Sequence, residues 1–228
     1  SSHLMRRRER VQQLENAEPW DIIVLDEAHH ARRKGGIKLS KDTPNQLLRL
    51  MRSLKSRTQG LILLTATPMQ VAPLEVWDLL SLLDMPEEWS ADHFLKFFEL
   101  ASHPAPDEKD LAFMARLFRV MEERYQPLSL ADAIRLEPTQ RKIIANKVLK
   151  ALRADSTIPL KMLQAEERRY AQALMKFYSP TRVLISRHTR ELLRRYHRAG
   201  KLAARIATRK VTDFLVALSP TERELYEA

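Results

Sequence analysis

Short apolar runs of strand length and longer stretches of helical periodicity divide this 228-residue chain. Two runs, Ile22–Leu25 and Leu61–Leu64, are bounded by polar or turn residues, a pattern typical of buried strands. Between them, apolar residues recur at helical spacing, namely Leu47, Leu48, Leu50, Met51 and Leu54. The order strand, helix, strand over residues 20–67 predicts a βαβ unit whose two strands lie parallel in one sheet.

Start and stop signals place the predicted helices. Thr43 is predicted to cap the helix between the strands, with Pro44 in its first turn and Gln46 completing a capping box. From residue 74 onward the pattern is almost wholly helical, and Ser90 and Gly200 are predicted helix caps. The further predicted helices are Leu74–Leu83, one after Ser90 that carries Phe94, Leu95, Phe97 and Phe98, then Leu111–Tyr125, Pro138–Leu152, Leu160–Tyr178 and Thr181–Ala199. The phenylalanine spacing favours core packing over base stacking, and residues 211–218 and 219–228 are a predicted strand and helix.

Composition narrows the class of protein. The chain has only four glycines, which favours many helices, and no cysteine, which excludes disulfides and thiolate metal sites. No apolar run approaches the ~18 residues of a membrane helix and no signal peptide is visible, so we expect an intracellular, cytoplasmic protein without membrane contact. Residues 1–5 resemble an expression-tag remnant. The predicted fold class is α/β, a partial parallel sheet followed by a largely α-helical region.

The net charge of +10 is concentrated in one segment. Between Glu166 and Lys210 there are thirteen Lys or Arg residues and three acidic residues. Within this segment, arginines at helical spacing predict a face that contacts the phosphates of nucleic acid, namely Arg187, Arg190, Arg194, Arg195 and Arg198. The alternatives are a solvent-exposed helix and a helix whose arginines pair with acidic neighbours.

Polar residues with distinctive chemistry follow both predicted strands. Asp26 and Glu27 come directly after the first strand, and Thr65 and Thr67 directly after the second. Because parallel strands end at one edge of the sheet, both pairs are predicted to face one crevice. Two adjacent carboxylates suit a magnesium–phosphate site, where one holds the metal through water and the other deprotonates an attacking water.

These residues resemble motifs of the superfamily-two helicases. "LDEAH" is similar to their Walker B motif, and "LTATP", about forty residues later, to their motif III. The longer stretches "PWDIIVLDEAHH" and "LLTATPMQVAPLEVWDLLSLLDM" resemble the bacterial members of the Snf-type (Swi/Snf-like) branch, which are DNA translocases. The strong matches cover residues 19–86. Later text, "RVLISRHTRELLRR" and "RKVTDFLVALSPTERELYEA", resembles the passage that leads into the second lobe of Snf-type proteins.

The resemblance assigns roles to matching residues. It implies that Asp26 is the magnesium-associated carboxylate, Glu27 the catalytic base and His29 the residue that couples the nucleotide site to motif III. Motif III is represented by Thr65, Ala66, Thr67 and Gln70, with alanine at a position where the family generally has glycine. The implied cofactors are ATP and Mg²⁺, and the implied partner is double-stranded DNA. His30 receives no role beyond hydrogen bonds to nearby loop groups.

The resemblance also has a gap, because no GxxxxGK[ST] phosphate loop occurs in the sequence. We therefore expect an internal piece of a longer protein and expect this polypeptide alone to be inactive as an ATPase. The expected domains are 6–86, the later part of a first RecA-like lobe; 87–209, a helical insertion with a possible protein partner; and 210–228, the entry to a second lobe. Alternatives for the longer protein are a motor subunit of a restriction or phage-defence system and an RNA helicase. A different class, a non-catalytic helical module for binding nucleic acid or protein, also stays open.

Overall fold

A computed structural model of the protein describes residues 8–33, 43–66, 73–104, 106–136, 142–187 and 190–203, together with 207 and 212. The helices and strands in chain order are α1 (Arg8–Asn16), β1 (Trp20–Leu25), α2 (Gln46–Lys55), β2 (Thr58–Leu63), α3 (Pro73–Leu80), α4 (Ala91–Leu100), α5 (Glu108–Arg124), α6 (Leu130–Leu136), α7 (Lys142–Arg153), α8 (Ile158–Lys161), α9 (Ala165–Phe177), α10 (Pro180–Val183) and α11 (Arg190–Arg198). The predicted α/β class, a parallel sheet followed by a largely helical region, is confirmed.

The strands β1 and β2 pair in parallel, as the βαβ prediction requires, with Trp20 opposite Thr58 and Leu25 opposite Leu63. Helix α2 covers one face of this sheet. All five apolar residues predicted for its inner face are buried, and they are Leu47, Leu48, Leu50, Met51 and Leu54. The other sheet face is also apolar but exposed, with Ile22 and Val24 more than half exposed. The alternation of side chains along each strand separates the two faces.

The start of α2 differs from the prediction. Its N-cap is Asn45, whose side-chain oxygen accepts a hydrogen bond from Leu48 N–H at 2.9 Å. Thr43 and Pro44 precede the helix, and Gln46 is its first residue. The predicted cap was therefore wrong by two residues, because Asn satisfies the free N–H groups at a helix start as well as Thr does.

Helix α3 joins two hydrophobic cores. Leu79 belongs to the core between the sheet and α2, and Leu80 belongs to the core of the helical region. In the second core, Trp89 and Phe97 are almost fully buried and their ring centroids lie 4.7 Å apart. Ser90 caps α4, as predicted, and accepts a bond from His93 N–H. The prediction that the phenylalanines pack in a core is confirmed for those that are fully buried.

The helical region contains more and shorter helices than the sequence predicts. Helix α5 begins at Glu108, after the cap Asp107, three residues before its predicted start. Helix α6 was not predicted at all, and the predicted helix Leu160–Tyr178 is interrupted from Met162 to Gln164 between α8 and α9. A bidentate pair joins α5 to α7, with Arg153 Nε 2.8 Å and Arg153 Nη2 2.7 Å from the two oxygens of Glu122.

The predicted single helix Thr181–Ala199 was wrong. Helix α10 ends at Val183, and Leu184 to Arg187 are not helical before α11 begins at Arg190. The chain divides into two compact units here, Ser1–Ile185 and Ser186–Ala228. The predicted C-terminal cap is confirmed, since Gly200 has a φ of 70° and Lys201 N–H donates to Tyr196 O at 2.9 Å.

Several predicted features lie outside the described residues, among them Thr67, Gln70, the strand at 211–218 and the helix after residue 219. Within the described ranges, no helix combines the length and apolar character needed to cross a bilayer.

Candidate nucleotide site at the carboxyl ends of the strands

The backbone of Leu64 forms hydrogen bonds with the residues on either side of Asp26 and Glu27. Its N–H donates to Leu25 O at 2.9 Å, and its carbonyl accepts from Ala28 N–H at 2.9 Å. Because both bonds go to the residue that directly follows β2, the two acidic residues between them are left out of the ladder. They are exposed just beyond the carboxyl end of β1, the edge at which parallel sheets bind ligands.

Glu27 has a left-handed backbone conformation, with φ 51° and ψ 44°. For a residue with a Cβ this region costs roughly 1–2 kcal/mol. Local bonds hold the turn, since Glu27 N–H donates to Asp26 Oδ1 at 2.8 Å and His30 N–H donates to Glu27 O at 3.0 Å. Strained residues of this kind cluster at functional sites, and the Glu27 side chain is 57% exposed, so it is open to a ligand.

His29 lies between the ends of the two strands. Its Nδ1 is 3.2 Å from Glu27 Oε2 and 3.1 Å from Thr65 Oγ1. The contact with Glu27 is an ion pair when the ring is charged, and the tautomer decides which atom donates in the contact with Thr65. The ring is only 12% exposed. His29 therefore links the carboxylate after β1 to the hydroxyl after β2.

The two carboxylates fit a magnesium–phosphate site by their chemistry and position. Asp26 and Glu27 offer hard oxygen ligands at an exposed strand end. Across the described ranges, no three His, Asp or Glu side chains group closely enough to hold a metal ion by themselves. Mg²⁺ characteristically takes one or two carboxylates and completes its shell with water and substrate phosphates. Two protein carboxylates are therefore enough for this metal.

The other residues singled out from the sequence are placed less completely. Ala66 follows Thr65 and is exposed, while Thr67 and Gln70 lie outside the described residues. The His30 ring contacts the His29 ring, with the centroids 4.2 Å apart. The His30 carbonyl accepts a hydrogen bond from Asn45 Nδ2 at 2.6 Å.

We call residues 26–30 the acidic turn. The segment that follows it, residues 31–33, is held by contacts from two helices. From the start of α2, Asn45 N–H donates to Arg32 O at 2.9 Å. From α3, Glu75 Oε1 lies 3.2 Å from Arg32 Nη1, and Asp78 binds Arg33. The sequence prediction missed all of these contacts. One signal was present, because Glu75 and Asp78 are acidic residues within the otherwise apolar stretch "LEVWDLL", a pattern that indicates buried, paired charges.

The arginine-rich segment is only partly helical. Arg187 lies in the non-helical stretch, so the prediction that it shares a helix with the others was wrong. Arg190 is the first residue of α11, and Arg194 and Arg198, four residues apart, share one side of the helix. Arg195 and Arg198 are exposed and lie in the last turn, where cations interact favourably with the helix dipole.

The parallel strands, the acidic turn and the His29–Thr65 contact are consistent with a chain of the helicase-like superfamily two. The particular family is the SNF2-related domain, whose match extends over residues 2–228, and the chain belongs to this family. The resemblance drawn from "LDEAH" and "LTATP" is confirmed.

The chain is also similar to curated relatives named RNA polymerase-associated protein RapA. It is 34% identical to the protein from Photobacterium profundum over 93 residues, 36% identical to that from Vibrio campbellii over 93 residues, and 35% identical to that from Erwinia tasmaniensis over 101 residues. These matches cover 41%, 41% and 44% of the chain. Each covers 9% of the relative's length.

Proposed function

We propose that the chain forms part of an ATP-dependent translocase that moves on double-stranded DNA. The observation that carries this proposal is the His29 bridge, in which one ring nitrogen lies within 3.2 Å of both Glu27 Oε2 and Thr65 Oγ1. Through this bridge, Glu27 at the carboxyl end of β1 can respond to the position of β2. A site that only bound nucleotide would not need this connection.

In the proposed reaction, Glu27 orients a water molecule and accepts a proton from it. The water attacks the terminal phosphorus of ATP, and the bond from this phosphorus to ADP breaks. Asp26 would hold Mg²⁺, whose positive charge would neutralise charge on the phosphates. The exposed carboxylate of Glu27 and its contact with His29 Nδ1 support this division. The His29 N–H fixes one carboxylate oxygen and leaves the other for water.

The proposed domain arrangement follows the expected boundaries. Residues 6–86 form the later part of a RecA-like lobe, 87–209 a helical insertion, and 210–228 the entry to a second lobe. Duplex DNA is the proposed polymer because the arginines of α11 contact phosphates without reading bases. Their spacing along one side of the helix and their charge support this role.

The decisive experiment uses the longer protein in which we propose the chain functions, with a phosphate loop supplied by its other segments. Glu27→Gln keeps the size of the side chain and removes the base, so we expect ATP turnover to disappear. Duplex-DNA affinity should stay within about twofold, since the substitution leaves the DNA-binding arginines in place. Stimulation of turnover by duplex RNA but not duplex DNA would replace the DNA motor with an RNA helicase. Unchanged turnover would remove Glu27 from its role.

The 228-residue chain alone provides a second test. Without a phosphate loop we expect neither tight ATP binding nor hydrolysis, because most of the N–H donors and the lysine that hold the phosphates are missing from its sequence. A magnesium-dependent ATPase activity of this chain that disappears on Glu27→Gln would overturn the expectation. Retained DNA binding without any activity in the longer protein would favour the interaction module.

A protein contact through the helical region is a second candidate function. Ile158 and Met162 are 65% and 71% exposed and lie one helical turn apart. The relatives are named as RNA polymerase-associated proteins, so RNA polymerase is the partner to test. We expect Ile158→Asp with Met162→Asp to abolish binding of the chain to RNA polymerase, with the exposed Lys150→Asp as control. Equal binding by both variants would exclude this surface.

A further inference from the structure

Asp78 is a fully buried carboxylate that receives several hydrogen bonds from one arginine. Arg33 Nη2 lies 2.7 Å from Asp78 Oδ1, and Arg33 Nε lies 3.1 Å from both carboxylate oxygens. The backbone N–H of Arg33 also donates to Asp78 Oδ2 at 3.1 Å. The Asp78 side chain is 0% exposed and that of Arg33 is 9% exposed. The pair therefore fixes backbone as well as side chain.

The surroundings extend this pair into a larger contact. The guanidinium carbon of Arg33 lies 5.3 Å from the ring centroid of Trp77, and Arg52 Nη2 lies 3.8 Å from Asp78 Oδ1. On the same side of α3, one turn earlier, Glu75 pairs with Arg32. Two consecutive arginines that follow the acidic turn are thus both held by the helix that follows motif III.

The position of the pair connects it to the proposed site. Ala28 and Ala31 follow Glu27 in the chain. Both are 0% exposed and pack in the same core as Leu79 of α3. Residue 33 also forms an isolated antiparallel bridge with Pro44, just before α2. The turn that carries Glu27 and His29 therefore ends in a segment held between α2 and α3.

A buried ion pair is a costly way to stabilise a fold, because apolar side chains of similar size avoid the desolvation of two charges. The ion pair does fix the relative position of the two segments that carry it, because a bidentate arginine–carboxylate contact tolerates little displacement. We propose that Arg33 and Asp78 are positioning residues that couple the acidic turn after β1 to α3, the helix after motif III. This inference rests on the proposed ATPase function for its consequence, while the coupling itself is a property of the chain.

Hydrogen exchange of the 228-residue chain tests the coupling without ATP. Asp78→Leu alone removes the carboxylate that neutralises the buried Arg33 guanidinium, so it is expected to destabilise the fold. Adding Arg33→Met removes that charge and is expected to recover most of the stability. In this double variant the amides of Ala28, His30 and Ala31 should still exchange at least about tenfold faster than in the parent, because the anchor of the turn is gone. Parent-like exchange at these amides would overturn the inference.

A matched control is the second bidentate pair, Glu122 and Arg153, which joins α5 to α7. Glu122→Leu with Arg153→Met removes a contact of the same kind away from the acidic turn. It should leave exchange at residues 28–31 unchanged. If it accelerates exchange there as strongly as the Arg33/Asp78 double variant does, the effect is global and the positioning role is excluded.

The catalytic consequence is measured in the longer protein. The Arg33→Met/Asp78→Leu variant should lower kcat and its stimulation by DNA at least about tenfold, with KM for ATP changed less than about threefold, since binding groups stay and alignment is lost. Unchanged kcat with faster exchange would overturn the catalytic part of the inference. If Glu27→Gln leaves turnover unaffected, the proposed function fails, and the exchange experiment still decides the coupling.

Discussion

The Nδ1 of His29 and the Oγ1 of Thr65 lie 3.1 Å apart, although 36 residues separate them in the chain. The contact joins the turn after β1 to the end of β2. Leu64, the neighbour of Thr65, bonds the backbone on both sides of the acidic pair. Two adjacent residues after β2 thus hold the acidic turn, one through its backbone and the other through its side chain.

Replacing Thr65 tests the side-chain part of this arrangement. Thr65→Val keeps the shape and removes the hydroxyl, so the free energy of unfolding of the chain should fall by about 0.5–1.5 kcal/mol. In the longer protein, kcat should fall more than KM rises, because the carboxylate of Glu27 loses the alignment that His29 provides. Urea denaturation and steady-state ATPase assays measure the two effects. Thr157 is exposed and makes no capping bond, so Thr157→Val is the control. Equal losses in both variants would contradict the bridge.

Asn45 has a double role that the sequence did not reveal. Its side chain caps α2 and also donates to His30 O, while its backbone N–H donates to Arg32 O. Asn45→Ala should lower the free energy of unfolding by about 1–2 kcal/mol, the upper part of the range for a lost N-cap. Thr43→Ala, at the cap predicted from sequence, should lower it less. Thermal unfolding of both variants makes the comparison, and a larger loss for Thr43 would restore the original prediction.

Local periodicity explains what the sequence predicted well. The five apolar residues of α2 lie on one face because their spacing alone puts them there, and the parallel pairing of β1 and β2 follows from the helix between them. The resemblance to superfamily-two motifs then located Asp26, Glu27, His29 and Thr65, and the structure brings the last three of these together.

Contacts between distant segments explain the features that the sequence did not predict. Arg33 and Asp78 are 45 residues apart, so no local pattern pairs them. The turn at Glu27 is likewise flanked by two bonds to Leu64, which lies 37 residues further along the chain. Helix α6 is different, because Ser129 and Asp132 form a reciprocal capping contact whose sequence signal was visible and was overlooked.

The failure of the predicted helix 181–199 has a chemical cause. Ile185, in the non-helical stretch, is β-branched and loses rotamer freedom in a helix. Ser186 carries a hydroxyl that competes for backbone hydrogen bonds. The apolar spacing of Leu184 and the later leucines suited a helix, but these local preferences oppose one between α10 and α11.

A salt bridge between α7 and the start of α9 predicts a pH dependence of stability. Lys147 Nζ lies 2.7 Å from both carboxylate oxygens of Glu167. This ammonium, together with a hydrogen bond from Gln164 N–H, lowers the pKa of Glu167 from its ordinary value of 4.5. Because the pKa is lower in the folded state, ionised Glu167 stabilises the fold above pH 4.5, and this contribution is lost as the pH falls through the lowered pKa.

The charge-removing variant Glu167→Gln keeps the length of the side chain and its place in the capping box. At neutral pH we expect the free energy of unfolding to fall by about 0.5–1 kcal/mol. The difference from the parent should shrink towards zero in acid, as the pH falls below the lowered pKa of Glu167 and both chains carry a neutral group. Urea denaturation at a series of pH values measures it. The exposed neighbour Glu166→Gln is the control, and a difference that persists in acid would show that charge is not the cause.

The arginines of α11 predict a specific change in the salt dependence of DNA binding. If Arg194 and Arg195 each neutralise one phosphate, changing both to Ala should reduce the slope of log K against log salt by about 2 units, since each contact with B-DNA releases about 0.9 counterion. Affinity should fall similarly for unrelated duplex sequences, because phosphate contacts carry no sequence information. Fluorescence anisotropy between low and physiological salt measures both quantities. Lys150→Ala with Lys176→Ala removes the same charge from exposed positions on α7 and α9. An equal reduction of the slope by this control would show a general effect of net charge, and an unchanged slope in the arginine variant would leave α11 as a solvent-exposed helix.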